Sequence, residues 1–142
     1  METYTYLAGL FDGDGNIELQ YKGHEKKFGA RVRLVMKVNQ ELKAILLQLG
    51  FKNYSIPNTT AEIFSLEYQA AIQFVEKIYP FLILKKERAR LLLEANKLLP
   101  GKSKGYTKET LIKILDIQDK MRFLTVRKKP IKWTKEKILE GF

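Results

Sequence analysis

Two aspartates, Asp12 and Asp14, stand among glycines in the string Leu7-Ala8-Gly9-Leu10-Phe11-Asp12-Gly13-Asp14-Gly15. On a helix, Gly9 and Gly13 share one face, because residues four apart are neighbours there. Two small residues at that spacing let a second backbone come close. If two such helices cross at the glycines, with Leu7 and Leu10 beside them at the interface, their Asp14 carboxylates meet at the end of the pair. Carboxylates that close repel unless a cation lies between them. Hard oxygen ligands with room for water and phosphate suit Mg²⁺, and the Gly13 carbonyl is one more such oxygen. Taken alone, Asp-Gly-Asp-Gly reads first as a solvated turn ending an ordinary core helix. A single histidine, His24, and no cysteine exclude a multi-histidine metal site within one chain, zinc–thiolate sites, disulfides and cysteine nucleophiles.

The charge balance points to the partner. Twenty-six Lys/Arg against sixteen Asp/Glu give a net charge of +10. Residues 101–142 hold twelve basic and five acidic side chains, so most of the excess sits in the last third. Such a surface suits a phosphate backbone, where neutralised phosphates release condensed counterions. No apolar run approaches the ~20 residues of a membrane span. No secretory signal is visible. The expected setting is intracellular, in cytoplasm or organelle matrix, with no membrane partner.

The elements that must position the acids follow from periodicity. A first helix is expected over Thr5 to Gly13, capped by Thr3 or Thr5, with Leu7, Leu10 and Phe11 as its apolar stripe. Ile17, Leu19 and Tyr21 alternate with Asn16, Glu18, Gln20 and Lys22, which is strand period. A polar loop over 23–27 leads to a return strand from Phe28 to Asn39. There Arg31, Arg33, Val35, Lys37 and Asn39 share one face, and Val32, Leu34, Met36 and Val38 the other. Asn39 also caps a helix over Gln40 to Leu49, stopped by Gly50. A second hairpin follows around Asn53–Ile56 and Ala61–Tyr68. Further helices are expected over Gln69–Tyr79, ended by Pro80, then Lys85–Leu99 and Thr107–Leu124, with a short turn over Lys135–Leu139. The class is α+β: an αββαββα core with a four-stranded antiparallel sheet, then C-terminal helices. Residues 1–100 form the core and residues 101–142 a basic helical extension of the same domain. An antiparallel sheet tolerates one wet face, and here that face is basic.

The nine-residue string resembles the LAGLIDADG motif of homing endonucleases, with Phe11 for Ile and Gly13 for Ala. The element order over residues 5–79 and the helices beyond it resemble the family as well, so the likeness spans nearly the whole chain. One copy of the motif implies the single-motif branch, in which two chains pair to build two active sites. The resemblance implies a site-specific, intron-encoded endonuclease that hydrolyses double-stranded DNA at a long pseudo-palindromic target with Mg²⁺, Mn²⁺ substituting. Alternatives on the same fold are an intron maturase, with intron RNA as partner, and a DNA-binding regulator that does not cut.

Residue by residue, the resemblance makes Asp14 the metal-binding acid, with Gly13, and makes Asp12 structural. Gln40 looks like the polar residue that orders active-site water. Lys85, in Pro80-Phe81-Leu82-Ile83-Leu84-Lys85, looks like the basic residue at the site's edge. Lys43 lies one place from a second such position. A twisted antiparallel sheet fits the major groove. The expected DNA-facing residues are Asn16, Glu18, Gln20 and Lys22, then Arg31, Arg33, Lys37 and Asn39, with Asn53 and Ser55 joining from the third strand. The register of the fourth strand stays open, since Glu62 shares its parity with Phe64. Lys102, Lys104, Arg127, Lys128, Lys129 and Lys132 are expected to clamp phosphates.

Overall fold

The first helix carries the motif and turns back into the sheet with almost no linker. The computed structural model describes residues 2–100, 105–124 and 134–140. In it α1 runs Glu2–Asp14 and β1 starts at Gly15. Gly15 makes that abrupt reversal possible: a Cβ there would lie 2.7 Å from the Phe11 Cα and nearer still to its ring. Phe11 is itself fully buried and packs on Phe74, ring centroids 5.1 Å apart. The helix begins before the expected start, so Thr3 and Thr5 lie inside it rather than capping it.

The remaining elements are β1 Gly15–Lys22, β2 Lys27–Met36, α2 Gln40–Gln48, β3 Lys52–Ser55, β4 Glu62–Glu67, α3 Tyr68–Ile78, a 3-10 turn Tyr79–Phe81, α4 Lys86–Leu98, α5 Lys108–Phe123 and α6 Lys135–Glu140. The four strands form one antiparallel sheet in the order β1-β2-β4-β3. Asn39 caps α2 as expected, its Oδ1 accepting from Leu42 N at 2.8 Å, and Gly50 closes the helix with φ +96°. Thr107 caps α5 in the same way, accepting from Thr110 N at 3.1 Å. Strand β2 stops at Met36, three residues short of the expected end, because its partner β4 runs out at Glu62, opposite Met36. Lys37 and Asn39 therefore lie beyond the sheet.

One face of the sheet carries the core. Ile17, Leu19, Phe28, Ala30, Val32, Leu34, Phe64 and Leu66 are buried there, under α3 on β2 and β4 and under α4 on β1 and β2. Strand β1 is an edge, and its outward carbonyls would be orphans. Helix side chains take them: Arg88 donates from Nε to Ile17 O, and Gln118 donates to Leu19 O at 3.0 Å. Arg88 also reaches Met121 O at 2.6 Å, tying α4, α5 and the sheet edge together. Among the described residues no helix is long and apolar enough to cross a membrane.

Candidate active site and nucleic-acid interface

The end of α1 is where charged groups converge. Asp14, its last residue, is exposed. The Asp12 carboxylate turns the other way and accepts from Ile83 N at 2.7 Å and Lys85 N at 2.9 Å. It thereby fixes the segment leading into α4 against the motif helix. Lys85 answers in the opposite direction, its Nζ donating to Phe11 O at 2.9 Å and Asp12 O at 2.6 Å. Carbonyls in a helix's last turn form its negative pole. Burial lowers the Lys85 pKa, with the Asp12 charge opposing; Arg88 lowers it further and Asp14 raises it. The structure thus brings Asp12, Asp14 and Lys85 together across 71–73 positions of sequence. Gln40 is exposed in the first turn of α2. Lys43 pairs with Glu62 at 2.8 Å.

Asp14 and the exposed Gly13 offer hard oxygens, the donor type a divalent cation prefers, but fewer than its coordination shell needs. Among the described residues no group of three His, Cys, Asp or Glu gathers to complete it. The donors fit part of a divalent-cation site. The glycine face is correspondingly open: a Cβ added at Gly9 or Gly13 would meet no heavy atom within 4 Å. Tyr6, also on this face, is 57% exposed, and Leu10 is half-buried. Leu7 does not belong to that surface. It is fully buried, because it lies one turn before Phe11 on the core side of the helix. The expected interface is corrected on this point.

The other face of the sheet is polar. Directly opposed pairs place Asn16 with Arg33, Glu18 with Arg31, Gln20 with Gly29 and Lys22 with Lys27 on it. Across β2 and β4, Arg31 faces Glu67, Arg33 faces Ser65 and Val35 faces Ile63. Lys52 and Tyr54 join from β3, opposite Ser65 and Ile63. Asn53 and Ser55 are opposite Phe64 and Glu62 instead, on the helix side, which corrects the expected face of β3. The same register settles β4: Glu62 shares the face of buried Phe64, where it meets Lys43. Asn39 uses its side chain as a helix cap, so its placement on the sheet face is also corrected. Lys37 is exposed just past β2. Lys102, Lys104, Arg127, Lys128, Lys129 and Lys132 lie outside the described residues.

Three cations of this face are already paired. Lys22 Nζ lies 2.7 Å from Glu67 Oε2, Lys27 Nζ 3.2 Å from Glu25 Oε2, and Arg31 is held by Glu18. Tyr68, unmarked by any motif, has the left-handed φ of +56°. Its ring lies over Gly29, where a Cβ would be 2.5 Å from Cε1, with Lys22 and Lys27 at 4.7 and 4.9 Å from the ring centroid. Only a residue without a side chain fits beneath it.

A polar antiparallel sheet backed by helices, with an acid and a lysine joined at the end of a glycine-faced helix, defines the homing-endonuclease fold. Comparison with known proteins agrees. A family model described as LAGLIDADG endonuclease matches residues 7–84, more than half the chain. The chain belongs to the LAGLIDADG endonuclease family. The DNA endonuclease I-CreI of Chlamydomonas reinhardtii is 28% identical over 123 residues, 82% of this chain and 72% of that protein. The homing endonuclease I-CvuI, solved with its DNA target in the presence of calcium, superposes with a TM-score of 0.80 at 25% identity, covering 98% of this chain and 91% of that one. A second I-CvuI structure, with the I-CreI target uncleaved in the presence of magnesium, gives a TM-score of 0.78 at 26% identity, over 98% and 91% of the two chains.

Proposed function

We propose that this chain is a site-specific endonuclease of double-stranded DNA that works as a homodimer with a divalent metal, Mg²⁺ with Mn²⁺ as substitute. The observation that carries the reading is the junction at the end of α1, where exposed Asp14 adjoins a lysine anchored on the helix carbonyls. Asp14 and the Gly13 carbonyl would hold the cation, together with oxygens of the second copy and of the DNA phosphates. When bound, the cation supplies Lewis-acid stabilisation of the scissile phosphate and an acidified water.

Lys85 serves the developing negative charge. Two hydrogen bonds already fix its ammonium, so little reorganisation is needed as charge builds. Asp12 holds Lys85 from behind through the backbone N–H. Gln40 orients water at the site's margin. The polar sheet face enters the major groove, with Arg33, Lys52 and Tyr54 at its centre and third strand. The glycine face of α1 meets its copy, which brings two Asp14 carboxylates over one duplex.

The test is cleavage of a plasmid library carrying randomised inserts, with magnesium, by wild type, Asp14→Asn and Lys85→Met. Asp14→Asn should lose more than the roughly 10–100-fold typical of outer-shell changes while still retarding DNA in calcium. Lys85→Met should lose about 100–1,000-fold, as removal of a preorganised charge-stabilising donor does. Cutting by Asp14→Asn at the wild-type rate refutes the assignment. Binding without cutting by the wild type under every divalent metal would favour a regulator instead.

A further inference from the structure

Arg31 and Glu18 face each other directly across β1 and β2 on the polar side of the sheet. Arg31 Nε donates to Glu18 Oε1 at 2.6 Å, and Nη2 lies against the same oxygen. Both side chains are 22% exposed, so the pair is recessed but reachable. The contact consumes the side edge of the guanidinium, Nε and Nη2. Its end edge, Nη1 with the second proton of Nη2, has no partner among the described residues, and neither does Glu18 Oε2. The recess thus presents two donors and, beside them, one acceptor.

In the major groove a G·C pair presents the complement: acceptors N7 and O6 of guanine, then the N4 amino donor of cytosine. Building on the endonuclease reading above, we propose that Arg31 and Glu18 read one G·C base pair as a unit in each half-site. Arg31 forks its end edge onto the guanine. Glu18 accepts from the cytosine N4 through Oε2 and positions Arg31 through Oε1. Holding the guanidinium beforehand reduces the rotamer freedom lost on binding. It also leaves the unit neutral, so it discriminates between bases without adding to phosphate attraction. Arg33 is the contrast. It stands opposite Asn16 and Ser65, has no ion pair among the described residues, and keeps its full charge for the DNA.

The experiment selects randomised DNA duplexes by binding in calcium buffer, with wild type, Glu18→Gln, Arg31→Lys and Arg33→Gln. The wild-type consensus should contain one G·C position per half-site preferred by roughly 5- to 150-fold. Glu18→Gln and Arg31→Lys should both lose that preference and keep the others. Lysine retains the charge but not the fork. Glu18→Gln should also bind random DNA more tightly, its salt slope steeper by about 0.9 per half-site for the charge released. Arg33→Gln should shift the slope the other way and leave this position intact. An unchanged consensus in both pair variants overturns the proposal, as does loss of preference at two different positions. A pair with a merely structural role would alter melting temperature and leave base preference in place. Should Glu18→Gln not fold, Arg31→Lys, which preserves the ion pair, decides alone. If the wild type enriches no sequence at all, site-specific DNA recognition itself fails, and the proposal with it.

Discussion

A methyl group added at Gly9 would touch nothing in the single chain, since no heavy atom lies within 4 Å of the place its carbon would take. Gly9 sits inside α1, five residues before its end. Alanine is favoured over glycine in a helix interior by about 0.8–1.0 kcal/mol, so Gly9→Ala should stabilise the lone protomer. For a chain of this length that corresponds to a rise in Tm of about 3–4 °C. In the proposed homodimer the sign reverses. Where two helices cross at their glycines, the two added methyls overfill the contact at about 1–3 kcal/mol. The dimer dissociation constant should then rise roughly 5- to 150-fold. Sedimentation equilibrium gives the constant directly. Melting curves at protein concentrations below and above it separate the two effects, because the Tm of an associating protein depends on concentration. Gly9→Leu extends the series and should abolish assembly. A Gly9→Ala protein with the wild-type constant, melting higher at every concentration, would refute the reasoning: the open glycine face would then be no interface.

Three other outcomes follow from the same contacts. Asp12→Ala removes the acceptor of two backbone N–H bonds, at Ile83 and Lys85, and should cost about 2 kcal/mol in urea unfolding; cleavage should fall as well, because Lys85 loses its anchor, and unchanged stability would contradict the assignment. Gly29→Ala sets a methyl 2.5 Å from the Tyr68 ring and should destabilise by about 1–3 kcal/mol, an effect that Tyr68→Ala should largely relieve in a double-mutant cycle. The hydrogen bond from Lys43, and a weaker one from Asn53, hold Glu62 below its usual 4.5. A carboxylate whose pKa is lower folded than unfolded stabilises above the unfolded value and loses that contribution as pH falls through the folded one. The gap in Tm between wild type and Glu62→Gln should therefore be full at neutral pH and close in acid below 4.5; a gap that stays constant into acid would contradict it.

How much of this was legible beforehand depended on the range of the signal. Strands β1 and β2 declare their faces, since Ile17 and Leu19 or Val32 and Leu34 alternate with polar residues and a one-residue slip would expose all of them. The four residues of β3, Lys52-Asn53-Tyr54-Ser55, hold no such contrast. Both parities are polar apart from an exposed tyrosine, and Asn53 and Ser55 were expected on the face that Lys52 and Tyr54 occupy. Leu7 was placed at the interface because apolarity next to Gly9 does not say which side of a helix it serves; its contact with the core does. Tyr68 carries no sequence signal at all. Its role comes from a left-handed backbone and from Gly29, thirty-nine positions earlier.

By itself the sequence determined the acids beside two glycines, the order of helices and strands, the caps at Asn39 and Thr107, and a basic excess suited to phosphate. These rest on periodicity and on chemistry within a few residues, where the chain's own geometry links the groups. Only the tertiary structure decided that Asp12 holds the start of α4, that Lys85 sits on the carbonyls of α1, and that Glu18 occupies one edge of Arg31. Those contacts depend on strand register and on how helices cross the sheet. A shift of one residue or a few ångströms would undo them, and no local pattern reports such distances.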